Sequence, residues 1–365
     1  MPKAQAKIEA YSAKIELSEN LHVRLDGEGR WGSFRKGPAF YRRTLRDEVW
    51  CRDRELGLDE HRSLAASIRS CLAQARQAIE AGSITVLGSR EELLALVENA
   101  LRLDEDPLER QGLFDQAYAE RVPILPPDRY RDLVVLPATG CPNGQCSFCA
   151  FYKDIPFRAF SPAEFEEHLD HLDQLMGHAL LARDGLFLGS ANALALPRKK
   201  LVPMLTTLQQ RMGTLKRGIA SFFDPEHAPN RSAADWQELA ALGLTQVVLG
   251  LETANPTLRA TLGKTSDLTL IDDSLHAISQ TDIRVGLTLL LGAGPASSAD
   301  SQLEQASTYL ASLPLDSTDL IYLSPLDDSR WPTPHSHFAP WRKALRSATP
   351  AQLVHYSMDR FHYYA

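Results

Sequence analysis

Short apolar runs alternate with amphipathic helical segments from about residue 130 to about residue 325. Six runs have the length and composition of buried strands: Leu133–Leu136, Gly185–Leu188, Gly218–Phe222, Gln246–Leu249, Arg284–Leu291 and Asp319–Leu323. The spacing of apolar residues between them predicts helices near 162–176, 198–212, 232–242, 267–280 and 299–312. Repeated strand–helix units with short loops favour right-handed β-α-β connections and a parallel sheet, either open or curled toward a barrel.

The first predicted helix has the clearest boundary. Ser161 and Glu164 have the spacing of a capping box, and Pro162 fits the first turn. We therefore expect this helix to begin at residue 162.

The chain before residue 126 has a different pattern of apolar residues, which recur mostly at helical spacing. One helix is predicted by the stripe Leu64, Ile68, Leu72 and Ile79. Residues 94–101 predict a second helix, 84–87 predict a strand, and three prolines within 122–128 predict a rigid connector. We expect a mostly helical N-terminal domain, a β/α domain and a closing segment, over residues 1–125, 126–325 and 326–365.

Composition and charge exclude several classes of protein. Of the 365 residues 44% are hydrophobic, yet no apolar run reaches the ~18 residues that a membrane span needs. The N-terminus lacks the apolar region of a secretory signal, and the net charge of −7 provides no global basic field for nucleic acid. Five cysteines are too few, and odd in number, for a disulfide scaffold. We expect a cytoplasmic protein.

Three of the five cysteines lie within nine residues, directly after the first predicted strand: Cys141, Cys146 and Cys149. In β/α folds this end of a strand carries the chemistry. Gly140 and Gly144 allow the loop to fold its thiolates around one metal centre, and three ligands on a four-iron cluster leave one iron open. A zinc site completed by a distant histidine is the alternative, although the chain has no second Cys-x-x-Cys pair. A chance grouping of the three cysteines in a hydrophobic core is disfavoured, because the loop is polar.

The segment from Cys141 to Lys153 resembles the cluster loop of the radical S-adenosylmethionine (radical SAM) superfamily. In that superfamily the loop follows the first strand of a partial β/α barrel, and an aromatic residue precedes the third cysteine, as Phe148 does here. The commonest spacing is Cys-x3-Cys-x2-Cys, whereas this chain has four residues in the first gap. The longer gap followed by Tyr152-Lys153 resembles a branch on the coproporphyrinogen-dehydrogenase-like side.

The resemblance extends over roughly residues 130–325 and implies a partial (β/α)6 TIM-like barrel with a mostly helical N-terminal domain. It implies one [4Fe-4S] cluster on Cys141, Cys146 and Cys149, with S-adenosylmethionine chelating the fourth iron. One electron from a donor such as flavodoxin or ferredoxin would then give a 5′-deoxyadenosyl radical, which abstracts hydrogen from a small molecule. The outcome could be a rearrangement, an elimination, a dehydrogenation or a C–C bond change. We expect no auxiliary cluster and no cobalamin domain.

Further residues are assigned to the cofactor by the same resemblance: Phe148, Gly189, Ser190, Asn192, Ser221, Glu252 and Leu291. The superfamily carries an acidic motif after its second strand, and here the backbone near Gly189 with Asn192 would have to substitute for it. Glu252 follows the fourth strand and would be a costly buried charge unless it were partnered, for example by a ligand's ammonium or ribose hydroxyls.

Substrate contacts are expected from residues near the strand ends: Arg158, Tyr322, Asp327, Asp328 and Arg330. The stretch from Arg30 to Arg46 has six basic residues, four aromatic residues and no acidic residue. It could contact phosphate or stack on a base, which makes RNA or nucleotide modification an alternative function, and flanking glycines make it a candidate lid. The alternative is that the stretch is the basic face of a helix and has no role in binding. A non-catalytic iron–sulfur or zinc protein is the alternative of another class.

Overall fold

The computed structural model describes residues 4–9, 12–52, 54–103, 107–119, 122, 124–213, 215–326, 331 and 338–357. The chain forms two compact units. The first is built from residues up to 120 together with 167–183, and the second from 121–166 together with 184–361. Among the described helices, none combines the length and the apolarity that a membrane span requires.

The first unit contains an eight-stranded sheet. Its strands are β1 (Gln5–Glu9), β2 (Ser12–Ser18), β3 (Leu21–Asp26), β4 (Trp31–Lys36), β5 (Ala39–Arg43), β6 (Val49–Cys51), β7 (Arg54–Glu55) and β8 (Thr85–Leu87). Strands β1 to β7 form an antiparallel meander, and β8 joins parallel to β1. The mostly helical prediction was therefore wrong for residues 5–55, while the strand predicted at 84–87 is confirmed.

The overlooked pattern in this region has a period of two. Ala13 and Ile15 of β2 and Val23 and Leu25 of β3 are buried, and polar residues lie between them. Such alternation is typical of a sheet with one buried face. The alternation is interrupted every few residues by turns, so it never extends far enough to dominate the helical spacing that follows.

Three helices complete the first unit: α1 (Leu58–Glu80), α2 (Arg90–Arg102) and α3 (Pro107–Ala117). The stripe predicted for α1 is buried and forms one core with the inner face of the sheet. In α2, Leu93 and Val97 face this core, so both predicted helices are confirmed.

The basic stretch from Arg30 to Arg46 is a β-hairpin of β4 and β5, and the interpretations as a helix face and as a lid were wrong. Its cations already have partners in the fold. Buried Arg43 pairs with Asp47, and Arg46 pairs with Asp115 at 3.1 Å. Arg35 and Arg42 lie 5.2 and 5.4 Å from the ring of Phe40. These contacts account for much of the positive charge that suggested a polyanion.

The second unit contains nine strands: β9 (Leu133–Val135), β10 (Ala138–Thr139), β11 (Arg158–Ala159), β12 (Leu186–Leu188), β13 (Ile219–Phe223), β14 (Leu244–Glu252), β15 (Arg284–Leu291), β16 (Leu320–Pro325) and β17 (Gln352–His355). Strands β10 and β11 form a small antiparallel pair. The other seven form one parallel sheet in the order β9-β12-β13-β14-β15-β16-β17.

The helices that follow these strands are α4 (Pro162–Met176), α5 (Arg198–Met212), α6 (Ala233–Ala241), α7 (Pro256–Thr261), α8 (Thr269–Ile278), α9 (Ala299–Ser312) and α10 (Phe338–Leu345). All six predicted strands and all five predicted helices are confirmed, and α4, α5 and α9 have the predicted ends. The seventh strand, β17, lies in the tail that the sequence predicted only as a closing segment.

The parallel sheet is a partial barrel. Its strand order follows the chain order without reversal, which with right-handed crossovers places the connecting helices on one face and leaves the other face inside. Val248 of β14, Tyr322 of β16 and Tyr356, which directly follows β17, meet on the inside. Within the described residues β9 and β17 do not pair with each other, so the barrel stays open.

Candidate functional site

A cavity of about 350 Å³ lies at the carboxyl ends of the parallel strands. The loop between β10 and β11 contributes residues from the range 141–153 to its wall, the ends of β12 to β17 contribute most of the remaining wall, and Ile124 and Lys264 complete it. This is the end of the sheet at which β/α barrels place their chemistry. The cavity therefore has the position that the sequence predicts for the site.

Cys141, Cys146 and Cys149 all line this cavity, and each is a half-buried free thiol. The loop reaches this conformation through Gly140, whose φ is +65°. A Cβ at Gly140 would lie 2.3 Å from the carbonyl oxygen of Ile155, so only glycine allows the loop to approach that segment. The three sulfurs thus converge on one space, as the sequence predicts.

Burial changes the acidity of these thiols. It raises the pKa of Cys146 to about 12 and also raises that of Cys149. Both thiols are therefore protonated at neutral pH in the metal-free chain. A metal or cluster that bound here would supply the positive charge that stabilises thiolates, and its binding would release protons.

The segment after α7 supports the cysteine loop from one side. The backbone N–H of Ser147 donates to the carbonyl of Leu262 at 2.9 Å. Gly263 has a φ of +79°, and a Cβ there would lie 2.5 Å from the carbonyl oxygen of Gln145. The two backbones are in contact, and this closeness requires glycine at position 263.

Glu252 ends β14 inside the cavity, with a side chain that is almost fully buried. Its φ of +64° is in the left-handed region, where a residue with a side chain carries a strain of about 1–3 kcal/mol. The carboxylate accepts a hydrogen bond from Thr288 Oγ1 at 3.2 Å. Burial raises the pKa of Glu252, and the nearby Lys264 cation opposes this rise.

Lys264 lines the same cavity and pairs with Asp224 at 3.1 Å. Burial by itself would lower the pKa of Lys264, but the negative charges of Asp224 and Glu252 outweigh it and raise that pKa. Burial likewise opposes ionisation of Asp224, yet Lys264 holds its pKa below the usual value. The cavity therefore contains one buried cation between two carboxyl groups.

Two buried polar atoms in the turn after β12 lack a hydrogen-bond partner within the described structure: Asn192 Oδ1 and Ser190 Oγ. Asn192 lines the cavity, and its Nδ2 donates to the carbonyl of Asp224 at 2.9 Å. Ser190 has a φ of +66°, which gives this turn a second strained residue besides Glu252. Buried polar atoms are normally paired, so Asn192 Oδ1 fits a polar ligand in the cavity, whereas Ser190 does not line the cavity.

Asp224 also lies close to Glu226 and His227, and their ligand atoms are within 4.8 Å of one another. Glu226 is already paired with Arg259, and Asp224 with Lys264. The described residues that line the cavity include no histidine. Among the residues that the structure describes, the cavity wall thus contains no histidine that could be a fourth ligand of a zinc ion.

Several predicted cofactor residues have other surroundings. Leu291 does not line the cavity, whereas Thr288 and Leu290 of the same strand do, since alternate residues face opposite sides. The hydroxyl of Ser221 donates a hydrogen bond to the carbonyl of Leu188 at 3.2 Å, and Ser221 does not line the cavity. Those two predictions were wrong about which side chains reach the cavity.

Gly189 lies directly behind the wall, where its N–H donates to the carbonyl of Val135 at 2.8 Å. Phe148 does line the cavity, and it packs against an apolar group that includes Leu262 and Leu290. Its position is compatible with a flat ligand against the ring.

The predicted substrate residues are dispersed. Tyr322 is fully buried, and its hydroxyl donates to Asp128 at 2.6 Å and accepts from Gln246 at 2.8 Å. Asp128 precedes β9 and Gln246 is near the start of β14, so this hydroxyl lies near the opposite end of the strands. The prediction of Tyr322 as a substrate contact was therefore wrong.

Arg158 also lies outside the cavity wall. Its exposed side chain pairs with Glu164 at 2.7 Å and lies over the ring of Phe160, so the structure does not support a substrate contact. Asp327, Asp328 and Arg330 lie outside the described residues.

The sequence analysis missed Asp224, Lys264 and Thr288, which are the polar residues that surround Glu252. Asp224 directly follows β13, and a search for polar residues after each strand would have found it. Thr288 is a polar residue within the otherwise apolar core of β15, and this exception in the apolar run could have identified it from the sequence. Lys264 follows α7 and has no comparable pattern.

No protein-family model and no curated protein matches the chain. Among solved structures it is similar to a radical SAM methyltransferase from Sphaerobacter thermophilus, with 17% identity and a TM-score of 0.45 over 67% of this chain and 71% of that one. The [FeFe]-hydrogenase maturase HydG from Carboxydothermus hydrogenoformans has 14% identity and a TM-score of 0.41, over 80% and 67%. The cobalamin-dependent S-adenosylmethionine radical enzyme OxsB has 15% identity and a TM-score of 0.39, over 60% and 30%.

Proposed function

We propose that this chain is a radical SAM enzyme that acts on a small molecule. Cys141, Cys146 and Cys149 would hold a [4Fe-4S] cluster, and S-adenosylmethionine would bind beside it. The observation that carries the proposal is the convergence of three thiols and a buried, partly unpaired polar cluster on one cavity at the strand ends. Bound together, the two groups supply one-electron cleavage of a sulfonium and abstraction of a hydrogen atom from a substrate.

The chain's own residues fit a zwitterionic cofactor with a sugar. Lys264 offers a cation to a carboxylate, while Glu252 and the free Oδ1 of Asn192 accept hydrogen bonds from an ammonium or from hydroxyls. These groups are held in place before any ligand binds, because strand ends and the Lys264–Asp224 pair fix them.

The remaining wall of the cavity is mostly apolar and suits a substrate with an extended apolar face. Its side chains include Phe148, Phe222, Val248, Leu290 and Tyr356. An apolar wall excludes water from the reacting atoms and so protects a reactive species from quenching. Lys153, at the exposed edge of the cysteine loop, is the cation best placed to select an anionic substituent.

The proposal requires an external one-electron donor, for which a flavodoxin or ferredoxin is suited, and a reducing compartment such as the cytoplasm. Nucleic acid as a substrate is not favoured, since the hairpin that suggested it uses Arg43 and Arg46 in ion pairs within the fold.

The test is anaerobic reconstitution with iron and sulfide, followed by reduction in the presence of S-adenosylmethionine. We expect wild type to bind four iron atoms per chain at this site and to release 5′-deoxyadenosine, measured by mass spectrometry. The variant C146A should lose both, whereas C51A, which removes a half-buried thiol in β6, should keep both.

Two outcomes would contradict the proposal. Zinc retained by the native protein with no iron–sulfur absorbance would indicate a zinc site instead. A well-formed cluster that never yields 5′-deoxyadenosine, with or without candidate substrates, would favour a non-catalytic iron–sulfur protein.

A further inference from the structure

The gap of four residues between Cys141 and Cys146 contains donors for the cysteine sulfurs. Nδ2 of Asn143 lies 3.3 Å from Sγ of Cys146, and the backbone nitrogen of Gly144 lies 3.4 Å from Sγ of Cys141. The third sulfur, that of Cys149, accepts hydrogen bonds from the backbone amides that follow it. Each sulfur of the loop therefore accepts an N–H before any metal is bound.

Among these donors, Asn143 is the one that uses a side chain. Its amide is oriented by two further contacts: Oδ1 accepts from the backbone N–H of Gln145 at 3.2 Å, and Nδ2 donates to the carbonyl of Gly263 at 3.4 Å. The Gln145 N–H that donates to Oδ1, together with the Gly263 carbonyl that accepts from Nδ2, fixes which end of the amide faces the sulfur.

Hydrogen bonds to cluster sulfurs affect the reduction potential. Reduction adds a negative charge that spreads onto the sulfur ligands, so an N–H donor stabilises the reduced form more than the oxidised form. We propose, on the basis of the function proposed above, that Asn143 raises the reduction potential of the cluster by donating to the Cys146 thiolate. Asn143 acts through Cys146 and makes no contact with the substrate in this role.

Two variants remove the donor in different ways. N143D keeps a side-chain oxygen for the Gln145 N–H, but it has no N–H and adds a negative charge. N143A removes the whole amide without adding charge. Q145E is the matched control, because it adds a negative charge to the same exposed loop while Asn143 keeps its contacts.

The experiment measures the midpoint potential of the reconstituted cluster by EPR at a series of applied potentials, with the iron content of each protein as a second readout. We expect N143A and N143D to keep their iron and to be about tenfold harder to reduce than wild type, since a hydrogen bond to a charged group is lost. Tenfold corresponds to 59 mV for a one-electron couple. The shift in N143D should exceed the shift in Q145E.

Equal potentials in wild type and N143A at full iron content would overturn this inference and leave the proposed function intact. Loss of iron from both Asn143 variants would also overturn it, because Asn143 would then hold the loop and not tune the cluster. Failure of wild type to assemble any cluster would instead refute the proposed function.

Discussion

Arg259 is the side chain whose removal should cost the second unit most stability. It is fully buried on α7, and its guanidinium contacts three separate segments. It pairs with Glu226 and donates to the carbonyl of Leu251, and its Nε donates to the carbonyl of Thr265 at 2.8 Å. Two of these contacts are adjacent in sequence to Glu252 and Lys264, so Arg259 fixes the backbone that positions the buried charges.

The expected loss in the free energy of unfolding follows from the burial of Arg259 and Glu226. In R259M the apolar stem is retained, but Glu226 loses its cation in a site where its side chain is only 7% exposed. Removing one partner of a buried pair typically costs about 3–5 kcal/mol. A domain of this size loses about 2–4 °C in Tm for each kcal/mol, so we expect a drop of about 6–20 °C.

The assay is urea unfolding of the purified chain, followed by circular dichroism. The double variant R259M/E226Q should be less destabilised than the sum of its single variants, because it leaves neither a buried carboxylate without its cation nor a buried cation without its carboxylate. The control R102A removes an exposed ion pair to Glu98 and should leave stability nearly unchanged. A loss below about 1 kcal/mol in R259M would refute the reasoning.

Three further predictions concern separate parts of the chain. G263A should lower the iron bound after reconstitution, since its Cβ would lie 2.5 Å from a backbone oxygen of the cysteine loop; G213A, at a φ of +66° with open space, should not. Burial lowers the pKa of His168 to about 4, so the unfolded chain takes up a proton first as pH falls from 7. The free energy of unfolding should then drop by about 2 kcal/mol between pH 7 and pH 4.5, and H168Q should lose this dependence in urea titrations. Y322F leaves Asp128 without its buried donor and should cost about 1–3 kcal/mol in thermal unfolding.

The β/α half was predictable because its determinants are local. The α4 boundary is an example: the N–H of Ser161 donates to Glu164 at 2.8 Å, and the N–H of Glu164 donates to Ser161 Oγ at 3.3 Å. Both partners are three residues apart, so the sequence contains the whole interaction. The same holds for strands that are apolar throughout, because a strand buried on both faces needs no knowledge of its neighbours.

The N-terminal sheet was not predictable in this way because its determinants are not local. Ala13 and Ile15 are buried only when the strands pair and the helices α1 and α2 pack on that face of the sheet, and each strand alone is short and half polar. The choice between Leu290 and Leu291 has the same origin. Three consecutive leucines have no alternation, so the pairing of β15 with its neighbours decides which side chain faces the cavity.

The structure changes the interpretation of the buried carboxylate of Glu252. A carboxylate buried after the fourth barrel strand predicted a ligand as its partner, but Lys264 already supplies a positive charge from the protein. The burial of Glu252 therefore does not require a ligand as its partner. Asn192 Oδ1 and Ser190 Oγ differ in this respect, because neither is paired within the described structure. The need for a polar ligand in the cavity therefore rests more on Asn192 Oδ1, since Asn192 lines the cavity and Ser190 does not, than on the carboxylate of Glu252.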